Sequence, residues 1–394
     1  LRLFPWFLAP ALAAQGVGGA FPTLQELAQV RVLVASKNLE STPDSPSTLT
    51  VFTRAEMRRM GVRSLTDLLN LVPGVQALFE PTEGRDNLLQ GRGTPEAYGQ
   101  SFLLLLDGQR LNEHYTGGFT LANRFIALGN LERVEIIRGP GSALYGSNAF
   151  NGVINLVTTR TTDDVTLEAT DPEGGRLGLN LHGTVGALEG SGFLQVERDA
   201  GDRYEGVFDR FGLQTRTRDP RRSLDAYTRL SWEGAFLQLR HTEHRLEDFY
   251  VFRRLDDGWN LDRSSQSHLR LGTEVNPTEG LTGTLAASFM RTTWTYDGRL
   301  ALAGTDPADL LSGSRLVHDA MEVTADFAWD LGEGHRLNAG ASHEQAEIPV
   351  AATRSNFDPI SGAFLGPYTE FRDGDHRFVE DRARNLHGVY LQHQ

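Results

Sequence analysis

The chain has 394 residues, 39% of them hydrophobic, enough to bury a sizeable core and to form two or three domains. Its 38 basic against 51 acidic residues leave a net charge of -13, which repels nucleic-acid backbones and other anionic surfaces unless a basic patch is set apart, and no such patch is visible along the sequence. The absence of cysteine excludes a disulfide framework, thiolate metal ligation and a cysteine nucleophile, and Lys37 is the sole lysine, so nearly every positive charge is an arginine.

Arg2 is followed by an apolar run over 3–8 and by Ala11-Leu12-Ala13, an A-x-A cleavage pattern, so residues 1–14 read as a secretory signal peptide, with a plain buried segment as the alternative. No later run approaches the roughly 20 apolar residues of a membrane-spanning helix. The densest, over 102–106, holds five, so any membrane crossing has to be made by strands. Beyond a leading segment at 15–41, Thr53-Arg54-Ala55-Glu56 is a capping box that predicts a short helix over 54–60, with Gly61 placed for a left-handed C-cap. Ser64-Leu65-Thr66-Asp67 opens a second helix in which Leu65, Leu68, Leu69 and Val72 recur at helical spacing until Pro73 stops it. The apolar runs at 103–106, 134–137 and 153–157 are bounded by Asp107-Gly108, Gly139-Pro140 and Gly152 and are predicted as buried strands. Residues 42–160 are therefore expected to form a small α+β globule.

From 161 to 394 the texture changes to alternation. Leu269, Leu271, Thr273 and Val275 share one face against His268, Arg270, Gly272 and Glu274, and Met321, Val323, Ala325, Phe327 and Trp329 oppose Glu322, Thr324, Asp326 and Ala328. Further strands are expected to begin near Val165, Leu177, Phe193, Leu224, Ala235, Leu281, Leu337 and Leu386, about ten in all. Short turns at 188–192, 233–234, 276–280 and 330–335 interleave with long segments at 200–222, 245–266, 295–317 and 346–384. Outer-membrane barrels show this asymmetry of short periplasmic turns and long extracellular loops, whereas sandwiches connect briefly at both ends. Trp232, Trp294 and Trp329 lie near strand ends, where an interfacial aromatic girdle and an ordinary core are both open readings. The chain stops at Gln394, inside the last strand, so an incomplete barrel is expected: about ten strands, where a plugged lumen takes about 22. Its open edge would expose unpaired backbone to hydrocarbon, and the chain alone is not expected to form a stable transporter.

The globule carries a series of ordered motifs: Leu68-Leu69-Asn70-Leu71-Val72-Pro73-Gly74-Val75, Gly91-Arg92-Gly93, Leu105-Leu106-Asp107-Gly108, then Glu132-Arg133-Val134-Glu135-Ile136-Ile137-Arg138-Gly139-Pro140, Tyr145-Gly146, and Gly152-Val153-Ile154-Asn155-Leu156-Val157-Thr158. Along 42–160 the chain resembles the plug domain of TonB-dependent outer-membrane receptors, with Asn151 where many relatives carry glycine. The resemblance implies an α+β plug followed by antiparallel transmembrane β-barrel strands at 161–394, in the outer membrane of a Gram-negative cell, the plug lying in the lumen. The signature positions it carries over are Arg92, Asp107, Gly108, Arg138, Gly139, Pro140, Tyr145, Gly146 and Gly152. Arg92 and Arg138, in Gly-bracketed turns, are placed to pair with wall carboxylates such as Glu168, Glu197, Glu274, Glu322 and Asp326, or to cap strands within the plug.

Function follows from the same resemblance. An importer without its own energy source draws on the inner-membrane TonB-ExbB-ExbD complex, and TonB captures an extended segment ahead of the plug by strand addition. Val30, Arg31, Val32, Leu33 and Val34 are the candidate TonB box, a plain plug strand being the other reading. Gly139 to Gly146 is not followed by Gly-Lys-Ser/Thr, so nucleotide-driven work is not expected. The nutrient, an iron-siderophore complex or else vitamin B12, is expected at Phe79, Arg85, Tyr98, His114 and Tyr115 in the outward loops. His241 and His244 fall on opposite strand faces; no metal site, cofactor or catalytic set is expected, and outer-membrane lipid is the remaining partner. A signalling receptor would need a further domain ahead of the plug, longer than 15–30 allows, and a passive porin or adhesin would lack the plug.

Overall fold

The computed structural model describes residues 48–393 apart from short interruptions, the longest at 301–309, together with 31–32 and 40–41. The signal segment 1–14 lies outside the described residues. A two-stranded ribbon, β1 (Arg31–Val32) with β2 (Glu40–Ser41), precedes the globule. There, β3 (Thr48–Thr53) leads into α1 (Arg54–Arg59) through the expected capping box, Thr53 exchanging bonds with Glu56. Gly61 follows at φ +67°, the left-handed stop. The second helix, α2 (Leu65–Leu69), is capped by Ser64 and Asp67 but ends short of Pro73. Its last turn tightens instead, Leu71 and Val72 donating to the carbonyls of Leu68 and Leu69, while the Asn70 side chain accepts from Ala77 N–H at 2.8 Å.

A small three-stranded sheet follows, β4 (Val75–Glu80), β5 (Arg85–Gly91) and β6 (Thr94–Ala97). Then come β7 (Phe102–Leu106), β8 (Gln109–Arg110), α3 (Thr120–Asn123), β9 (Leu131–Arg138) and β10 (Gly152–Thr158). The main sheet runs β3-β9-β10-β7-β8, with β10 and β7 parallel at its centre. Strands covered on both faces read as continuous apolar runs, and all of Phe102–Leu106 is buried. One face packs Leu104, Ile136, Ile154 and Leu156 beneath α2, and the other packs Leu103, Leu105, Ile137 and Val153.

Among the described residues the rest is a wall of eleven antiparallel strands, β11 (Asp164–Thr170), β12 (Gly174–Val185), β13 (Leu188–Asp199), β16 (Arg221–Trp232), β17 (Ala235–Glu247), β20 (Leu261–Thr278), β21 (Leu281–Arg299), β22 (Leu311–Gly332), β23 (His335–Phe357), β24 (Phe364–Phe371) and β25 (Ala383–His393), with two separate hairpins, β14 (Arg203–Phe208) with β15 (Gln214–Arg218) and β18 (Tyr250–Val251) with β19 (Arg254–Leu255). β24 and β25 share one edge, pairing with the outer and inner parts of β23. Among the described residues β11 and β25 do not pair with each other. The short turns sit where expected except the first, which is Gly186-Ala187 between Val185 and Leu188 and not 188–192. The expected long loops at 295–317 and 346–384 are largely strand, because β21, β22 and β23 continue as paired ribbons past the apolar stretch. Polar alternation hid these extensions from a reading based on apolar periodicity.

The wall is inside-out relative to a water-soluble sheet. Val165, Leu177, Leu194, Leu239, Leu271, Met321, Val323, Val389 and Leu391 are exposed on its outer face, while Asn180, Gln195, Asp225, Gln238, Arg240, Gln266 and Thr292 are buried on its inner face. An exposed apolar belt around a polar interior is the pattern of a barrel facing lipid. Trp232 and Trp329 stand on the outer face at the short-turn end, as a girdle requires; Trp294 does not, pointing inward to donate to Asp262 at 3.0 Å. His244 is buried inside and His241 lies on the outer face bonded to Ser267, so they share no face. No helix among the described residues is long and apolar enough to cross a membrane, which says nothing of strands.

Candidate functional site

The globule is held against the inner face of the wall by polar contacts spread from β11 to β25. Asp107 sits at a turn with φ +49° and binds Thr158 through both its N–H (2.9 Å) and hydroxyl (2.7 Å), which closes the globule's own sheet. The same carboxylate accepts from the Tyr227 hydroxyl of β16 at 2.9 Å, and the Asp107 carbonyl accepts from Arg270 of β20 at 3.3 Å. The next N–H, at Gly108 (φ +81°), reaches Asn155 at 3.2 Å. One signature turn thus ties two globule strands and two wall strands together.

A second group surrounds α3. Arg240, 4% exposed, donates to Asn123 at 3.0 Å and to Asp225 at 3.3 Å, and Asp225 also accepts from the Ala127 N–H at 3.2 Å. Gln266 donates to the Leu111 carbonyl at 3.2 Å and accepts from Asn123 at 3.2 Å, and Ser264 donates to the Leu121 carbonyl. Asn180 reaches the Gly129 carbonyl at 3.0 Å, Gln109 reaches Glu322 at 3.0 Å, and Arg54 and Arg58 both bind Asp164 at the short-turn end. Burying so many groups without loss requires each to find a partner. Together these bonds hold the globule against the wall.

The third group lies at the outer end of the contact. Glu113 is fully buried in the loop after β8 and accepts the backbone N–H groups of Tyr115 (2.7 Å) and Thr116 (3.0 Å), with His318 of β22 at 3.9 Å. Burial pushes its carboxyl up to about 7, against those hydrogen bonds, which favour the charged form. His114 beside it is held down to about 3 by burial, with Arg384 and Arg110 adding to the effect, so its Nδ1 is a neutral acceptor for the Arg384 guanidinium at 2.8 Å. Arg384 also binds Glu344 at 3.0 Å. A carboxyl whose folded value is raised keeps its proton longer than the unfolded chain does, so the loop loses stability as pH rises from the ordinary carboxylate range through about 7. Hydrogen exchange of the amides at 115–118, corrected for its intrinsic pH dependence, is expected to quicken across that window in the wild type and to lose this slope in Glu113→Gln.

Of the two readings of Arg138, a wall carboxylate or a cap within the plug, its described hydrogen bond fits the second, reaching the Pro73 carbonyl at 3.2 Å, because β9 ends beside the chain that leaves α2. Glu168 and Glu197 are taken by Arg176 of the wall itself, and Asp326 accepts from Tyr390. Several cross-contacts reverse the expected direction, with wall arginines reaching groups on the globule. Gly139 (φ +118°) donates to Asn151 at 2.9 Å, Gly146 is left-handed at φ +72°, and Tyr145 packs on the second core cluster while its carbonyl receives Arg110. A Cβ on Gly152 would collide with the Ile137 carbonyl, which explains glycine there. Arg92 and Pro140 lie outside the described residues, as do Val30, Leu33 and Val34, while Arg31 and Val32 form β1 opposite Ser41 and Glu40.

Of the ligand candidates, Tyr98 (φ +64°) and the loop of His114 and Tyr115 are brought together by Phe119 N–H donating to the Tyr98 carbonyl at 2.9 Å. Tyr115 is exposed and Tyr98 half-buried, whereas the His114 side chain is only 8% exposed, packed against the wall rather than presented outward. Phe79 lies in β4 and Arg85 opens β5. The sequence reading missed Asn123, Asp225, Arg240, Gln266 and Glu113, though strand parity already put Asp225, Arg240 and Gln266 on the polar face. Among the described residues no group of three or more His, Asp or Glu is arranged to hold a metal.

A family model described as TonB-dependent Receptor Plug Domain matches residues 41–153. The vitamin B12 transporter BtuB of Vibrio vulnificus strain CMCP6 is 34% identical over 154 residues, 39% of this chain and 24% of its own length. The same transporter from strain YJ016 is 32% identical over 128 residues, 32% of this chain and 20% of its own. These alignments thus span about a quarter or less of those relatives. Among solved structures, the pyoverdine outer membrane receptor FpvA from Pseudomonas aeruginosa PAO1 superposes with a TM-score of 0.69 at 14% identity, over 93% of this chain and 57% of that one. The ferric yersiniabactin uptake receptor FyuA from Yersinia pestis gives 0.51 at 16% identity, over 92% and 63%. Signature motifs, plug-family match and an inside-out wall around a polar contact agree: residues 41–153 are a TonB-dependent receptor plug domain, lying against the inner face of antiparallel strands that share the fold of outer-membrane receptor barrels.

Proposed function

We propose that the receptor to which this chain belongs takes up a scarce, large nutrient, an iron-siderophore complex, using energy delivered through TonB. The observation that carries the reading is the plug itself: its bonds to Tyr227, Arg240, Gln266 and Arg270 seat it against the inner face of the wall, where it would obstruct the lumen of a closed barrel. Passage then requires work to rearrange them, which a passive pore does not perform. Many weak bonds around a rigid core suit stepwise release by a pull at the N-terminal side. Tyr98 and Tyr115 at the outer end of the plug are the proposed ligand contacts, joined by Phe79 and Arg85 on the β4–β5 hairpin, and His114 supports them by fixing its loop to Arg384. Corrin uptake is the second reading, favoured by the identity to the two vitamin B12 transporters. Both assign the chain to transport rather than catalysis.

The test places the complete receptor in an iron-starved host that lacks its own receptors and supplies a panel of ferric siderophores, and vitamin B12 in a corrinoid-dependent host. Growth on a ferric chelate supports the first reading and growth on the corrinoid alone the second; growth on neither, with no ligand raising the unfolding temperature of the purified receptor, would falsify both. For the segment at Val30, Arg31, Val32, Leu33 and Val34, proposed as the TonB contact, Val32→Pro removes an N–H that strand addition requires. Uptake is expected to fall to background while ligand binding to isolated membranes is unchanged; retained uptake would place the TonB contact elsewhere.

A further inference from the structure

Four arginines distant in the chain meet in one row on the outer face of the wall. Arg198 of β13 lies directly opposite Arg222 of β16, Arg222 opposite Arg245 of β17, and Arg245 opposite Arg263 of β20. Directly opposed side chains in an antiparallel pair start about 5 Å apart, and like charges so placed weaken the pairing. The row has the lipid-facing parity, shared with exposed Leu194 and Val196 on β13, Leu230 and Trp232 on β16, Leu239 on β17 and Leu269 and Leu271 on β20. Its first two members stand at the upper margin of the apolar belt, two residues beyond Val196 and Leu224.

The neighbouring acids balance the row only in part. Glu243 binds Arg263 at 2.9 Å, and Glu247 binds Arg245 at 2.6 Å and approaches Arg222 at 3.6 Å, leaving two carboxylates for four guanidiniums. Arg198 is exposed and has no ion pair among the described residues, and the side chains of Arg222 and Arg263 remain 55% and 52% exposed. The excess charge therefore sits at the Arg198–Arg222 end, directly above the belt. In a chain of net charge -13 this local reversal of sign invites an anion. Guanidinium groups match phosphate through paired N–H bonds, and at this height the groups that can present phosphate while acyl chains cover Leu194, Val196 and Leu224 are those of a lipid in the outer leaflet.

We propose that Arg198, Arg222, Arg245 and Arg263 form a binding site for the phosphate groups of an anionic outer-leaflet lipid, its headgroup lying across β13, β16, β17 and β20. The inference rests on the outer-membrane setting of the wall and is independent of which nutrient is carried. A multiply phosphorylated, acylated saccharide headgroup is the occupant that can span the row. Bound there, it would replace repulsion between neighbouring strands with shared bridging contacts.

The complete receptor, purified in neutral detergent, is incubated with a bisphosphorylated acyl-disaccharide, and retained lipid is measured by native mass spectrometry. The wild type is expected to retain it, and Arg198→Gln/Arg222→Gln to bind about tenfold more weakly, the scale of roughly 1.4 kcal/mol. Arg198→Lys/Arg222→Lys is expected to keep part of the binding, which also covers failure of the glutamine pair to fold. Arg216→Gln, the same substitution with one charge removed away from the row, in the β14–β15 hairpin, should bind as the wild type does. The proposal is overturned if the dephosphorylated disaccharide is retained equally well, if the lysine and glutamine pairs both match the wild type, if Arg216→Gln loses as much as the paired variants, or if millimolar inorganic phosphate displaces the lipid completely.

Discussion

Replacing Asp225 by alanine is expected to destabilise the seated plug by about 3–5 kcal/mol, the cost of leaving a buried charge without its partner. Arg240 is 4% exposed and Asp225 5% exposed, so water does not reach either to compensate. The substitution also removes the acceptor of the Ala127 N–H, which strands a backbone donor of the plug. Denaturant unfolding of the receptor in detergent, followed through exchange of the amides around α3, measures the effect. Asp225→Ala/Arg240→Met should recover most of it, because replacing a buried pair by apolar groups of similar shape is often nearly neutral. An Asp225→Ala protein as stable as the wild type would mean that the wall and plug do not share this dry contact.

Leu271→Arg is the second large effect. Leu271 is 52% exposed on β20, flanked on the outer face by Leu237 and Ala287 and lying between Leu269 and Thr273. On a water-soluble sheet such a change would stay within about 0.5 kcal/mol. On the lipid face near the bilayer midplane it is expected to cost about 2–4 kcal/mol. Refolding into vesicles of defined thickness distinguishes these outcomes, and a neutral result in bilayers would show that this face does not meet hydrocarbon. Arginine at Ser267, closer to the outer margin of the same face, should cost less because the penalty falls toward the interface.

The local features of the fold were legible in the sequence because their causes are local. Thr53 with Glu56 and Ser64 with Asp67 announce two helix starts, since an N-cap and its third residue satisfy each other's backbone groups. Parity announced the wall, since the pleat sends alternate side chains to opposite faces whatever the strand pairs with. The same regularity put Trp232 and Trp329 on one face and would have put Trp294 on the other, had each been judged by its strand's parity and not by nearness to a strand end. The plug motifs marked where glycine is needed, in left-handed turns at Gly108 and Gly146 and at the close approach of Gly152 in β10 to the Ile137 carbonyl.

What the plug touches, and which charges face one another, was decided only by the tertiary structure. Arg138 lies in a motif that suggested a reach to the wall, yet β9 delivers it to Pro73, while Arg240 and Arg270 of the wall reach Asn123 and Asp107 of the plug. Likewise the linear sequence shows no basic patch, and the fold makes a basic row. Strand parity fixes a side chain's face but leaves its height relative to a neighbouring strand open, and that height depends on turn lengths such as Glu233-Gly234 and on loops whose span the sequence leaves free. Sequence alone therefore determined what kind of elements form and which way their side chains point; pairing register, a property of two strands together, decided that Arg198, Arg222, Arg245 and Arg263 stand side by side.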